Sequence, residues 1–229
     1  MSADDFTIMR QRMVAAIAAD TIYVSARIGK AALAARVMET MGKVPRHAFV
    51  PSEIEGYAYA NVPLPIGYDK TISQPFIVAL MTDLLDPRPE DKVLEIGTGL
   101  GYQAAILAEL VKAVYTVEYI EELAEQAVHR LKRQGYRNIA VKRGNGYHGW
   151  PEHAPFDKII LTAAPDLIPA PLLQQLKPGG RMVLPAGLAD AQQLLLVEKA
   201  DDGSMTSREV LPVRFSEMEG TESAPFGGS

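Results

Sequence analysis

The sequence contains no cysteine and a single tryptophan. Without cysteine there is no disulfide, no thiolate zinc site and no cysteine nucleophile. A cytoplasmic home is compatible with that. Long apolar runs are missing too. Stretches such as Ile159-Ile160-Leu161 or 194–197 fall far short of the ~20 residues of a membrane span. Met1-Ser2-Ala3-Asp4-Asp5 is acidic and has no basic region followed by an apolar stretch, so no secretory signal is expected. Positive charge is in deficit: 23 basic residues against 28 acidic leave a net charge of −5. That balance argues against a protein whose main work is to neutralise a nucleic-acid backbone. His47, His129, His148 and His153 are scattered, with no i, i+4 pair and acidic partner, so no metal site is expected.

What is present is an ordinary globular mixture, 48% hydrophobic and 22% charged, over 229 residues. That length suits a single domain. Residues 1–76 read as an N-terminal helical and irregular region. Apolar periodicity predicts helices within 8–17 and 31–41, with Gly29 and Gly42 as breaks. Between 45 and 75 stand Pro45, Pro51, Pro63, Pro65 and Pro75, a density that forbids long helices and central strands. A stretch of this kind is a functional region or a solvated linker. Phe49, Tyr57, Tyr59, Leu64 and Ile66 ask for burial and favour the first reading.

Residues 77–215 read as an α/β core. A short helix over 77–85 precedes a turn at Pro87-Arg88-Pro89-Glu90-Asp91. Strands are expected at 92–96, 113–117, 139–143, 158–161 and 181–184, alternating with helices at 101–111, 121–134 and 171–176. Two late strands, 193–198 and 209–215, flank the turn Asp201-Asp202-Gly203-Ser204. Strand–helix alternation implies a parallel sheet covered on both faces. The expected fold is therefore α/β, Rossmann-like and doubly wound: a mostly parallel seven-stranded sheet with an antiparallel strand at its C-terminal end, plus N-terminal helices. The segment 216–229, whose end is rich in Gly, Ser and Pro, is expected to be a disordered tail.

The most informative run is Val93-Leu94-Glu95-Ile96-Gly97-Thr98-Gly99-Leu100-Gly101-Tyr102-Gln103. A strand enters three glycines and leaves as a helix, which allows a tight turn and close approach of a ligand to the backbone. The spacing is G-x-G-x-G, not the G-x-G-x-x-G of dinucleotide binders, so an oxidoreductase is disfavoured. Glu118 ends the next strand, about twenty residues on, where an ionised carboxylate can accept both hydroxyls of a ribose; a solvated acid at a strand end would look the same. In Arg143-Gly144-Asn145-Gly146 the amide oxygen of Asn145 could accept from an adenine amino group, or the segment could be a plain Asn-Gly turn.

With these segments the chain resembles the class I S-adenosylmethionine-dependent methyltransferases. Within that superfamily it resembles the protein-L-isoaspartate O-methyltransferases. The likeness runs from about residue 31 to 215. It includes Val44-Pro45-Arg46-His47-Ala48-Phe49-Val50-Pro51, Pro63-Leu64-Pro65-Ile66-Gly67 and Thr71-Ile72-Ser73-Gln74-Pro75. It continues through Gly149-Trp150-Pro151, Thr162-Ala163-Ala164 and Leu176-Lys177-Pro178-Gly179-Gly180. Departures stand at Leu100 (Ser in the family), Asn145 and Asn61 (Asp), and Lys70 (Gln in bacterial members). The N-terminal helical region is longer around 21–30, and the usual Val-Pro-Leu continuation is missing after Phe215.

The resemblance implies transfer of a methyl group from S-adenosylmethionine to the free α-carboxylate of L-isoaspartyl residues in damaged proteins and peptides, opening repair through a succinimide. S-adenosylhomocysteine is the other product, and no metal, membrane or nucleic acid is involved. It assigns Ser73 the active-site role, although a serine there could equally cap the helix that follows. To the cofactor it assigns Thr71, Ile72, Glu95, Gly97, Thr98, Gly99, Gly101, Gln103, Glu118, Asn145 and Gly146. To the peptide channel it assigns Pro65, Ile66, Gly67, Ala163 and Ala164. The substituted positions leave open a related carboxyl methyltransferase with another acceptor, an aspartate of a modified peptide or a small acid.

Overall fold

A computed structural model describes residues 3–222. Helix α1 (Ala3–Tyr23) buries Phe6, Met13, Ile17 and Thr21, spacings that keep one stripe of the helix against the core. The short α2 (Ser25–Ile28) stops at Gly29, whose φ of 74° supplies the left-handed cap. Helix α3 (Ala35–Lys43) starts later than periodicity suggests, because the Asp83 carboxylate accepts the Ala34 N–H at 2.7 Å and pairs with Lys30. Gly42 does not break α3. The chain leaves the helix at Val44, which precedes Pro45 and is held extended by it.

Two 3₁₀ turns, Arg46–Phe49 and Ser52–Tyr57, carry the proline-dense stretch. Of its large side chains Phe49, Tyr59, Leu64 and Ile66 are buried, while Tyr57 is exposed. Strands β1 (Leu64–Gly67) and β2 (Lys70–Ile72) form an antiparallel hairpin apart from the main sheet. Its two-residue turn is Tyr68-Asp69, both with positive φ, which matches the twist of a tight hairpin. Helix α4 (Pro75–Leu85) follows, buried along almost its whole length.

The seven-stranded sheet is built from β3 (Lys92–Ile96), α5 (Tyr102–Ala108), β4 (Ala113–Glu118), α6 (Glu121–Arg133), β5 (Ile139–Arg143), β6 (Phe156–Leu161), α7 (Ala170–Gln175), β7 (Leu176–Ala186), β8 (Gln193–Lys199) and β9 (Met205–Pro212). The spatial order is β5-β4-β3-β6-β7-β8-β9, with β3 to β7 parallel and β8 antiparallel to both its neighbours. The chain starts in the middle at β3, winds outward to β5, then returns to β6 on the other side of β3. That reversal opens a crevice at the carboxyl ends of β3 and β6, the usual ligand position in such sheets. One apolar core lies between the sheet and α1, α3, α4, α5 and α6; a second lies on the opposite face with α7.

Further boundaries differ from expectation. Strand β7 begins at Leu176, not 181, because Leu176 pairs with Phe156 across a bulge. Strand β9 covers Met205–Pro212, not 209–215: ladder hydrogen bonds to β8 form through its polar, exposed first half, and Pro212 ends it. The expected disordered tail is corrected for 216–222. Ala164 forms a parallel bridge to Glu217, Met218 N–H donates to the Ala164 carbonyl at 2.9 Å, and Met218 is buried. The rest of that expectation, 223–229, lies outside the described residues. No described helix is long and apolar enough to cross a membrane.

Candidate active site

The turn after β3 is made by Gly97, Gly99 and Gly101, all in the left-handed region, with φ of 95°, 54° and 96°. Gly97 is also required for space: a Cβ there would stand 2.5 Å from the Thr162 hydroxyl oxygen. Thr162, at the end of β6, donates its N–H to the Ile96 carbonyl at 2.9 Å and its hydroxyl to the Gly97 carbonyl at 2.5 Å, locking the two central strands at the crevice. Below the turn, the Thr98 and Thr116 hydroxyls share a 2.6 Å hydrogen bond.

Glu118 closes β4 with its carboxylate aimed back at the glycine turn. One oxygen accepts the Gly99 N–H at 2.7 Å and the other accepts the Ile120 N–H at 3.0 Å. Burial lifts its pKa above the ordinary range, while the Ile120, Gly99 and Tyr119 N–H groups and Lys70 pull it down. Each oxygen keeps a further lone pair for an incoming hydroxyl. Gln103, in the first turn of α5, donates to the Thr82 hydroxyl at 3.0 Å, and its own carbonyl oxygen is buried without a partner.

These groups line one cavity. One wall is the sheet: Ile96, the turn from Gly97 to Leu100, Val117, Glu118, Thr162 and Ala163. The other is formed by Ile66 and 70–73 of the hairpin and by 216–219, which crosses the strand ends as a strap. Lys70 and Glu219 join hairpin to strap by an ion pair of 2.6 Å. A second cavity adjoins it, lined by Pro63, Gln74, Ile77 and 212–215. Thr71, Ser73, Thr162 and Ser216 line both.

Ser73 thus stands at the junction. It is half-buried, and its carbonyl accepts from the Arg46 guanidinium at 2.7 Å. The helix-cap alternative does not hold. Gln74 is the N-cap of α4, no side chain caps it, and the Phe76 N–H goes to Asn61 Oδ1 at 3.0 Å. Asn61 in turn donates to Asp20 of α1 at 2.8 Å. That accounts for an amide at this position: a second carboxylate would face Asp20 and lack the donor.

Of the residues singled out from the sequence, Ile66, Thr71, Ile72, Ser73, Gly97, Thr98, Gly99, Gln103, Glu118, Gly146 and Ala163 line the main cavity. Six do not. Glu95 is fully buried inside the sheet; burial raises its carboxyl to about 8, with a hydrogen bond to the Thr116 side chain opposing and Glu118 adding. Gly101 sits under the turn against Leu131. Asn145 is buried and occupied locally: its carbonyl oxygen accepts the Tyr147 N–H at 3.0 Å, and its amide donates to the Thr221 carbonyl at 2.8 Å. Pro65 and Gly67 lie on the exposed face of the hairpin, and Ala164 is buried, its backbone given to the strap. Sequence reading had not assigned Lys70, Thr162, Tyr119 or the strap to the site. The one signal for the strap was Met218, an apolar residue between Glu217 and Glu219.

The lining suits S-adenosylmethionine. Apolar groups (Ile96, Leu100, Val117, Leu123, Met218) offer faces for a purine, Glu118 offers acceptors for a diol, and the bare Gln103 oxygen awaits a donor. Among the described residues no cluster of three His, Cys, Asp or Glu side chains could hold a metal ion.

The comparisons agree with this geometry. The family model of the protein-L-isoaspartate(D-aspartate) O-methyltransferases matches residues 23–223. A protein-L-isoaspartate O-methyltransferase 1 of a Polaromonas species is 63% identical over 97% of this chain and 94% of its own. A solved protein-L-isoaspartate O-methyltransferase superimposes with a TM-score of 0.76 at 29% identity, covering 90% of this chain and 66% of that longer one. A Plasmodium falciparum protein solved in complex with S-adenosyl-L-homocysteine gives a TM-score of 0.74 at 19% identity, covering 93% and 98%, and shows the shared fold. By its match to the family model along most of its length, and by its close relatives, the chain belongs to the protein-L-isoaspartate(D-aspartate) O-methyltransferase family.

Proposed function

We propose that the protein methylates the free α-carboxylate of L-isoaspartyl residues in peptides and proteins, with Ser73 orienting the acceptor. The observation that carries the reading is the position of Ser73, which lines both the cavity beside the glycine turn and Glu118 and the neighbouring cavity lined by 212–215. Bound beside the glycine turn, S-adenosylmethionine supplies an activated methyl group on a sulfonium. Glu118 holds the ribose diol, the Gly97–Gly101 turn takes the backbone-facing edge, and Gln103 accepts from a donor with its unpaired oxygen. The acceptor carboxylate has a reference pKa near ~4 and arrives ionised, so the protein need not supply a strong base. Its task is placement and partial desolvation. The Ser73 hydroxyl donates to one carboxylate oxygen and leaves the other to meet the methyl group. A carbon–oxygen bond forms as the carbon–sulfur bond breaks, giving a methyl ester and S-adenosylhomocysteine. The ester then closes to a succinimide, which reopens in part to normal aspartate. The cytoplasm is proposed as the place of work, in keeping with a sequence free of cysteine.

The test uses labelled S-adenosylmethionine and two synthetic peptides that differ only in aspartyl or isoaspartyl linkage. Base-labile label on the isoaspartyl peptide alone is the expected outcome. Label on the aspartyl peptide would transfer the reading to another acceptor, and label on neither would end it.

A further inference from the structure

Arg46 is fully buried, and no carboxylate pairs with it among the described residues. It follows Pro45 in the first 3₁₀ turn. Its Nε donates to the Ala58 carbonyl at 2.8 Å and its Nη2 to the Ser73 carbonyl at 2.7 Å. The guanidinium lies over the Tyr102 ring, 4.8 Å from the centroid, and Nη1 has no partner. Burial lowers its pKa to about 10, with Tyr102 and Tyr59 acting against it, so the group is still a cation at neutral pH.

A buried, unpaired cation is costly, and an apolar side chain of similar volume would fill the same space more cheaply. What an apolar side chain could not do is hold two carbonyls from different segments in one rigid plane. A guanidinium fork can. Ser73 needs such a hold. It lies between the last residue of β2 and the N-cap of α4, so its peptide group is outside both the hairpin ladder and the helix. The bond from Arg46 is the one recorded for its carbonyl. Removing that bond leaves the dihedrals that aim the hydroxyl free to relax.

We infer that Arg46 is a positioning residue: it pins the Ser73 carbonyl against the Ala58 loop and so fixes the angle at which the Ser73 hydroxyl meets the acceptor carboxylate. This rests on the role proposed above for Ser73. Arg46 touches neither substrate nor cofactor, and its effect must pass through Ser73.

That dependence makes a double-mutant cycle decisive. The full chain is assayed on the isoaspartyl peptide as wild type, Arg46→Lys, Arg46→Gln, Ser73→Ala and the double variants. Leu85→Ala, buried at the far end of α4, serves as a destabilised control. Arg46→Lys keeps the charge but cannot span both carbonyls. It should lower kcat about tenfold while the peptide KM and the Kd for S-adenosylhomocysteine stay within twofold. In the Ser73→Ala background either Arg46 substitution should lower kcat by less than twofold more. A full tenfold loss in that background would show that Arg46 acts independently and overturn the inference. So would wild-type kcat in both single variants, or an equal loss of kcat in Leu85→Ala at the same melting temperature. Unchanged turnover in Ser73→Ala would remove the Ser73 role itself. A loss in Ser73→Ala with none in the Arg46 variants would remove only the present inference. Failure of Arg46→Lys to fold leaves the cycle to be run with Arg46→Gln, which retains a donor.

Discussion

The two walls of the main cavity are built in different ways. The sheet wall is main-chain architecture: three left-handed glycines, the Thr162 lock on Ile96, and a Glu118 carboxylate bound by two backbone N–H groups. The outer wall is two short segments distant in sequence, a hairpin and the 216–222 strap. They are held by a few backbone bonds and by an ion pair whose side chains are 20% and 48% exposed. In the first wall the three glycines and Glu118 cannot change without disturbing the backbone they hold. The second can exchange side chains and still close. The difference fits a division of labour in which the sheet side holds a fixed cofactor and the outer side admits peptides of varied sequence.

The sharpest way to break this comparison is at Glu118. Alanine there removes two charge-assisted acceptors for a ribose and releases the Gly99 and Ile120 N–H groups. At roughly 1.5–3 kcal/mol for each such bond, affinity for S-adenosylhomocysteine should fall by at least about a hundredfold. Calorimetry giving a Kd within threefold of wild type would mean that the sheet wall does not hold the cofactor in this way. Glutamine at this position keeps an acceptor and should fall between the two.

Ser73 belongs to the outer wall but is tied to the buried Arg46, so it should behave as a hybrid. Ser73→Ala should lower turnover on an isoaspartyl peptide ten- to a hundredfold, the scale of one orienting hydrogen bond of about 1.5–3 kcal/mol. Cofactor affinity and melting temperature should hardly move, since its hydroxyl caps no helix. Single-turnover rates and melting curves on one preparation check both halves. A lowered melting temperature with normal turnover would return Ser73 to a structural role.

The same contrast explains what could be read from sequence. Glycine spacing and the acid at the end of β4 report local backbone demands, and the sheet wall was legible from them. The mostly parallel sheet followed from strand–helix alternation in the same way. Asn145 stands outside the cavity: its oxygen takes the Tyr147 N–H two residues on, the local turn the sequence also allowed, and its amide takes the Thr221 carbonyl from 76 residues away. The strap was misread because its polar composition hides one burial-seeking residue, Met218. Glu95 carried a usable signal. Strand alternation puts it on the opposite face from Leu94 and Ile96, with Val93 and inside the apolar core.

Glu95 sharpens the comparison by testing the interior of the sheet wall. Its folded-state pKa, about 8, lies above the reference of 4.5. The folded protein therefore keeps a proton that the unfolded chain loses, and stability falls as pH rises from about 4.5 to about 8. Melting temperature followed over that range should decline in wild type and much less in Glu95→Gln, which has nothing to ionise. Equal slopes in the two proteins would mean that the carboxylate finds a donor or water when folded.

The smallest effect is expected at the Lys70–Glu219 pair, where hairpin meets strap. Its geometry is good, at 2.6 Å, but solvent reaches both side chains. Exposed pairs are typically worth about 0–1 kcal/mol. Lys70→Gln should therefore weaken S-adenosylhomocysteine binding by no more than about fivefold. Added salt should abolish the difference by screening the wild-type pair. Glu219→Gln should match it, and the double variant should be no worse than either single, because all three lack the same bond. A tenfold loss in Lys70→Gln that persists in high salt would place Lys70 on a bound ligand instead of on the strap. The outer wall would then be as fixed as the sheet wall, and the contrast between them would fail at the point where they meet.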